Sequence, residues 1–156
     1  MSELRGTSGA HGLELTRVFE ASRERLWREW TEPERFADWF GGREADIPVA
    51  GVSMDVRPGG RWQATAVHRN GVQTRWEGVY REVVEPARLV LTFSDQPGEE
   101  AHELVTVVFT DLGDGRTEMR LEQRGTHSRD LYEQTLYGWT SFLDRIAERL
   151  HDGGLG

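Results

Sequence analysis

The sequence predicts an α+β fold in which a curved antiparallel sheet of six or seven strands wraps around one long C-terminal helix, with two short helices after the first strand. Three observations carry this. Apolar and polar residues alternate with period two in most segments between Leu13 and Arg124, a Trp-rich stretch near Leu26 to Phe40 breaks that pattern, and the final run carries apolar residues at helical spacing. An order of strand, two helices, a run of strands and a long helix fits one sheet packed against helices.

The first strand is read from Leu13, Leu15 and Phe19, which alternate with Glu14, Thr16 and Glu20. The segment 1–12 before it has three Gly, two Ser and no periodic apolar face, so it is expected to fray outside the core. Ser22 can cap a short helix bearing Leu26, Trp27 and Trp30, and Pro33 opens a second bearing Phe36, Trp39 and Phe40. Strand alternation returns at Val52, Met54 and Val56, and Arg57-Pro58-Gly59-Gly60 turns the chain into Trp62. Asn70-Gly71 predicts a tight hairpin with a type I′ turn between strands near Trp62 to His68 and Gln73 to Val84.

Glu85-Pro86-Ala87-Arg88 turns into the strand Leu89 to Phe93, and the polar stretch Asp95 to Glu100 reads as a solvated loop. His102 to Thr110 and Thr117 to Arg124 form a last hairpin around Gly113-Asp114-Gly115. Within it Met119, Leu121 and Gln123 face one way, while Glu118, Arg120, Glu122 and Arg124 face the other. A water-facing side is typical of antiparallel sheets. Ser128 opens the final helix, which places Leu131, Thr135, Trp139, Phe142, Ile146 and Leu150 on one face and runs about 34 Å to Leu150. Residues 13–150 are thus one domain, followed by a tail, 151–156.

Composition narrows the function. The 156 residues suit one domain, and six Trp, six Phe and three Tyr must supply much of a core whose apolar fraction is 37%. There is no Cys, and all 19 basic residues are Arg, which removes thiolate chemistry, Schiff-base lysines and the Walker phosphate-binding lysine. A net charge of −8 with scattered Arg argues against nucleic acid as a partner. No apolar run reaches the roughly 20 residues of a membrane span and no signal-peptide pattern opens the chain, so no membrane insertion and a cytoplasmic location are expected. The five His lack metal spacing, and no metal or cofactor is expected. Ser94, His102 and Asp95 can be written as a triad, but no nucleophile elbow accompanies them.

Several phrases resemble the SRPBCC superfamily, the helix-grip fold of START lipid-transfer domains and the birch pollen allergen. More narrowly, they resemble its bacterial branch similar to the heat-shock-protein-90 ATPase activator. The phrases are Leu15-Thr16-Arg17-Val18-Phe19 with Ala21-Ser22, Leu26-Trp27 with Trp30-Thr31-Glu32-Pro33-Glu34, and Trp39-Phe40-Gly41. Asp55 to Trp62, Gly78 to Val83 leading through Glu85-Pro86 to Arg88-Leu89-Val90, and Gly138-Trp139 with Phe142-Leu143 follow in order. The resemblance implies a cavity between sheet and helix, without implying one activity.

Strand parity points Trp62, Trp76, Tyr80, Phe93 and Phe109 toward the last helix, and Tyr132, Thr135 and Trp139 answer from it. Trp39 and Phe40 of the second short helix join this set, and Gln123 is the polar member on the inward face of its strand. These eleven residues are the candidate ligand-binding set, set against the plainer possibility of a filled aromatic core. Gly78, between Trp76 and Tyr80, either leaves room for a ligand or marks a bulge. Gln123 and Thr135 either orient a ligand or bond internally, and Arg17 either meets a ligand carboxylate or pairs with an acid such as Glu82.

The expected function is binding of a small apolar molecule, a lipid, polyketide or aromatic compound. Gln123→Leu is then expected to change ligand preference more than stability. Two alternatives stand beside it. One is a cyclase or aromatase-type enzyme, with Tyr80 and Glu82 the first residues to suspect of shuttling protons; the other is a chaperone-associated interaction protein. A homodimer is possible.

Overall fold

The computed structural model describes residues 4–41, 45–95 and 103–152. The elements are β1 (Leu4–Ser8), β2 (Gly12–Phe19), α1 (Arg23–Thr31), α2 (Pro33–Trp39), β3 (Ala45–Asp46), a 3-10 turn at Val49–Gly51, and β4 (Val52–Met54). They continue through β5 (Arg61–His68), β6 (Gln73–Val84), β7 (Arg88–Phe93), β8 (Glu103–Gly113), β9 (Arg116–Arg124) and α3 (Arg129–Asp152). The strands lie in the order β1-β2-β9-β8-β7-β6-β5-β3, with β4 also on β5, and every pair is antiparallel. The expected α+β arrangement is the one found.

The strand count differs from expectation. Nine strands are present among the described residues instead of six or seven, because β3 is added and because the segment expected to lie outside the sheet supplies β1. Leu4 to Ser8 pairs with Leu13 to Arg17, so backbone hydrogen bonding orders a stretch that has no apolar periodicity to announce it. Gly6 sits against Leu136 of α3, where an added Cβ would come within 3.0 Å of the leucine side chain. At the other end α3 continues through His151 and Asp152, so the helix outruns its expected end at Leu150. Residues 153–156, His102 and all of the Asp95 to Glu100 loop except Asp95 lie outside the described residues.

Local chemistry accounts for the helices. The Ser22 side chain accepts from the Arg25 N–H at 3.2 Å, and that of Ser128 accepts from the Leu131 N–H at 3.1 Å, so both expected N-caps are in place. Glu32 is extended, as a residue before proline must tend to be, and it divides α1 from α2 at Pro33.

The turn at Asn70-Gly71 is of another kind than expected. Gly71 has a φ of 85° while Asn70 does not enter the left-handed region, and the Gly71 N–H donates to the His68 carbonyl at 2.9 Å. The loop is therefore the three-residue kind, a turn over Arg69 and Asn70 followed by a left-handed glycine.

Two kinds of tie, ionic and aromatic, hold the helices to one another. Glu29 of α1, only 1% exposed, meets the Arg149 guanidinium of α3 at 2.7 and 3.2 Å and lies 3.5 Å from Arg35. Arg149 also reaches Asp38 of α2 at 2.7 Å. The second tie is aromatic: Trp30 stacks on Trp139 at 6.0 Å, and Phe36, Trp39 and Phe40 pack edge and face around them. Such contacts add roughly 0.5–1.5 kcal/mol per pair beyond their burial. No helix among the described residues is long and apolar enough to cross a membrane.

Candidate functional site

The inward face of the sheet and the N-terminal half of α3 enclose a half-open cavity of about 460 Å³. Its lining combines two chemistries. Trp76 of β6, Phe93 of β7, and Trp139 and Phe142 of α3 form an aromatic wall, with Phe93 and Phe142 at 5.8 and 5.4 Å from the Trp139 ring. Beside it lie Asp95, Glu103, Gln123, Thr126 and His127, Glu103 being the cross-strand partner of Phe93, while Leu131, Thr135 and Gly138 of α3 complete the rim. Leu131 is 40% exposed and Phe142 half-buried, because the inward face of α3 borders open space here instead of packed side chains.

Glu103 is the centre of the polar side. It is 3% exposed at the start of β8, on the inward parity of Val105, Val107 and Phe109. Its Oε1 accepts from Gln123 Nε2 at 2.9 Å and from the Tyr132 hydroxyl at 3.0 Å; its Oε2 accepts from the Thr126 N–H at 2.8 Å. Gln123 in turn accepts from Trp139 Nε1 at 2.8 Å, so one chain of bonds runs from carboxylate to indole. Burial, and then the hydrogen bond and negative charge of Glu103, push the Tyr132 phenol up to about 12. His127 Nδ1 stands 3.8 Å from Glu103 Oε2.

Of the eleven candidates, Trp76, Phe93, Gln123, Thr135 and Trp139 line the cavity. The other six do not. Phe40 packs behind the wall, with ring centroids 5.0 Å from Trp76 and 5.1 Å from Phe142. Trp39 is deeper, its Nε1 donating to the Glu29 carbonyl at 2.8 Å. Trp62 donates to the Thr92 carbonyl at 3.0 Å, and Phe109 packs edge-on to Trp27 at 5.9 Å, below the α1 helix. Tyr132 supports Glu103 from behind. Tyr80 is buried against the Arg57–Gly60 turn, where burial and the charge of Asp55 raise its phenol. Parity aims Trp62 and Phe109 at the interior, but α1, α2 and the residue that ends α2 fill the part of it they reach.

The plainer alternatives hold at Thr135, Gln123 and Arg17, while Gly78 meets neither expectation, the register shift on β6 lying between Tyr80 and Glu82. Gly78 leaves no room for a ligand, since a Cβ there would lie 1.8 Å from the Thr92 carbonyl oxygen and 2.6 Å from Trp62 Nε1. Thr135 Oγ1 donates to the Leu131 carbonyl at 2.8 Å, and Gln123 is bonded to Glu103 and Trp139. Arg17 pairs with Asp144 at 2.5 Å, not with Glu82, which meets Arg88 at 3.1 Å on the exposed side. Tyr80 and Glu82 are therefore not assembled at the cavity. His102 of the written triad lies outside the described residues, and among those described no three His, Asp or Glu side chains converge as metal ligands.

A sheet closed over one long helix, with a cavity between them, defines a helix-grip domain of the SRPBCC type. Residues 20–151 match the family model described as Activator of Hsp90 ATPase homolog 1-like protein, and the chain belongs to that family. No curated protein matches the sequence. Among solved structures, a protein from Rhodobacter sphaeroides is similar with a TM-score of 0.79 at 17% identity, over 97% of this chain and 99% of that one. One from Chromobacterium violaceum has a TM-score of 0.76 at 25% identity, over 88% and 94%. The AHSA1 protein from Silicibacter pomeroyi has a TM-score of 0.79 at 22% identity, over 90% and 97%.

Proposed function

We propose that the chain binds a small, largely apolar molecule in the cavity between β6–β9 and α3. The observation that carries this reading is the wall of Trp76, Phe93, Trp139 and Phe142 left facing open space of about 460 Å³, a volume within the usual range of small-molecule sites. Desolvation of such a wall supplies roughly 25 cal/mol per Å² of apolar surface covered, and the polar groups beside it fix orientation. Native mass spectrometry of freshly purified protein, followed by extraction, tests it. A co-purifying compound whose rebinding quenches Trp fluorescence, with the quench weakened by Phe142→Ala, is the expected result. No bound compound, and no fluorescence response to a panel of lipids, polyketides and aromatic amines, would sink the proposal. A carrier returns the compound unaltered; conversion over time would favour an enzyme.

A further inference from the structure

Among the described residues two carboxylates are buried, and they are balanced in opposite ways. Glu29 is held by two arginines, Arg149 and Arg35, so its charge is neutralised within the fold. Glu103 is equally withdrawn from water, yet its three donors are a carboxamide, a phenol and a backbone N–H, all neutral. Among the described residues no arginine pairs with it, and His127 at 3.8 Å carries charge only when protonated. Buried charges are ordinarily paired, because an unpaired one is costly to keep from water.

Glu103 also borders the cavity, and no arginine among the described residues lines that space; its other charged neighbour there is Asp95. A carboxylate offers about four acceptor positions, and three are filled. The fourth, on Oε2, has no hydrogen bond, and His127 Nδ1 stands 3.8 Å from that oxygen. The aromatic residues beside it, Phe93 as its cross-strand partner and Trp139 one hydrogen bond away through Gln123, add negative ring faces that attract a cation as well as an apolar body.

Resting on the reading of this cavity as a ligand site, we propose that its ligand is an organic amine, a cationic nitrogen joined to an apolar body, with the nitrogen toward Glu103 and Asp95. The missing counter-charge then arrives with the ligand. Carboxylate ligands such as fatty acids are disfavoured, since they would set like charge against Glu103 without a guanidinium to receive them.

Three probes sharing one ring system separate the possibilities: naphthylethylamine, naphthylethanol and naphthylacetate, titrated by calorimetry against the full chain. The expected order is amine, then alcohol, then acetate, with the amine about tenfold tighter than the alcohol. Asp95→Asn and Glu103→Gln should each lower the amine's affinity several-fold and that of the alcohol by a smaller factor. Asp95 is exposed, so its variant carries the test even where Glu103→Gln fails to fold. Gly138→Leu, which fills the cavity, should abolish binding of the amine and alcohol. An alcohol or acetate that binds as tightly as the amine, with binding still lost in Gly138→Leu, overturns the amine proposal and leaves the cavity as a binding site. Binding by none of the three, or binding untouched by Gly138→Leu, removes both.

Discussion

Trp139 and Gln123 are joined by one hydrogen bond, 2.8 Å from indole Nε1 to carboxamide Oε1, and through it the long helix is fastened to the buried carboxylate of Glu103. The pair is both structural and part of the cavity wall, so its substitutions should report on both.

Gln123→Leu should destabilise the protein, in contrast to what sequence position alone suggests. Leucine fills similar space but removes a donor from Glu103 and an acceptor from Trp139. Each buried group left unpaired costs about 1–3 kcal/mol. Urea denaturation should show a loss of at least about 2 kcal/mol; equal stability of Gln123→Leu and wild type would contradict the network.

Arg149→Met should also be severe. It leaves Glu29 buried with Arg35 alone, at 3.5 Å, and breaking such a pair costs about 3 kcal/mol. Removing the charge as well, in Glu29→Met with Arg149→Met, should recover most of the loss, because no ion is then kept from water. A double-mutant cycle by thermal melting checks this, and additive losses would mean that the pair is not coupled.

Alkaline pH should weaken the fold. Tyr132 is pushed up to about 12 from an ordinary phenol value near 10, and Tyr80 is raised in the same direction. A raised pKa means that the neutral phenol is favoured in the fold, so this stability is complete below about pH 10 and is lost as pH climbs through the folded values. Tyr132→Phe should flatten the fall in melting temperature between about pH 10 and 12; an unchanged slope would show that Tyr132 contributes nothing to it.

Much of the fold was legible because it rests on local signals. Ser22, Pro33 and Ser128 mark helix starts, and the bounds of β5 and β6 match the apolar alternation to within a residue. The site was half legible. Parity finds Trp76, Phe93 and Gln123, but it cannot tell a residue facing a void from one facing α1 or α2, and that difference separates Trp76 from Trp62. Glu103 was readable in principle, being on the same strand face as Val105 and Val107, yet its charge and its place beside a polar loop disguised it. Thr126 and His127 sit in a loop without period, so only the folded chain brings them to Glu103.

The pairing of β1 with β2 bears on how this protein can be shortened. A version begun at Leu13, where the apolar alternation starts, would keep nearly every core side chain but strip the hydrogen-bonded neighbour from residues 13–17. Their bare N–H and C=O groups would form an open border able to recruit a strand from another molecule, the usual route from a trimmed sheet to aggregation. The apolar pattern thus marks where the core begins, while the smallest well-behaved piece begins earlier, at Leu4.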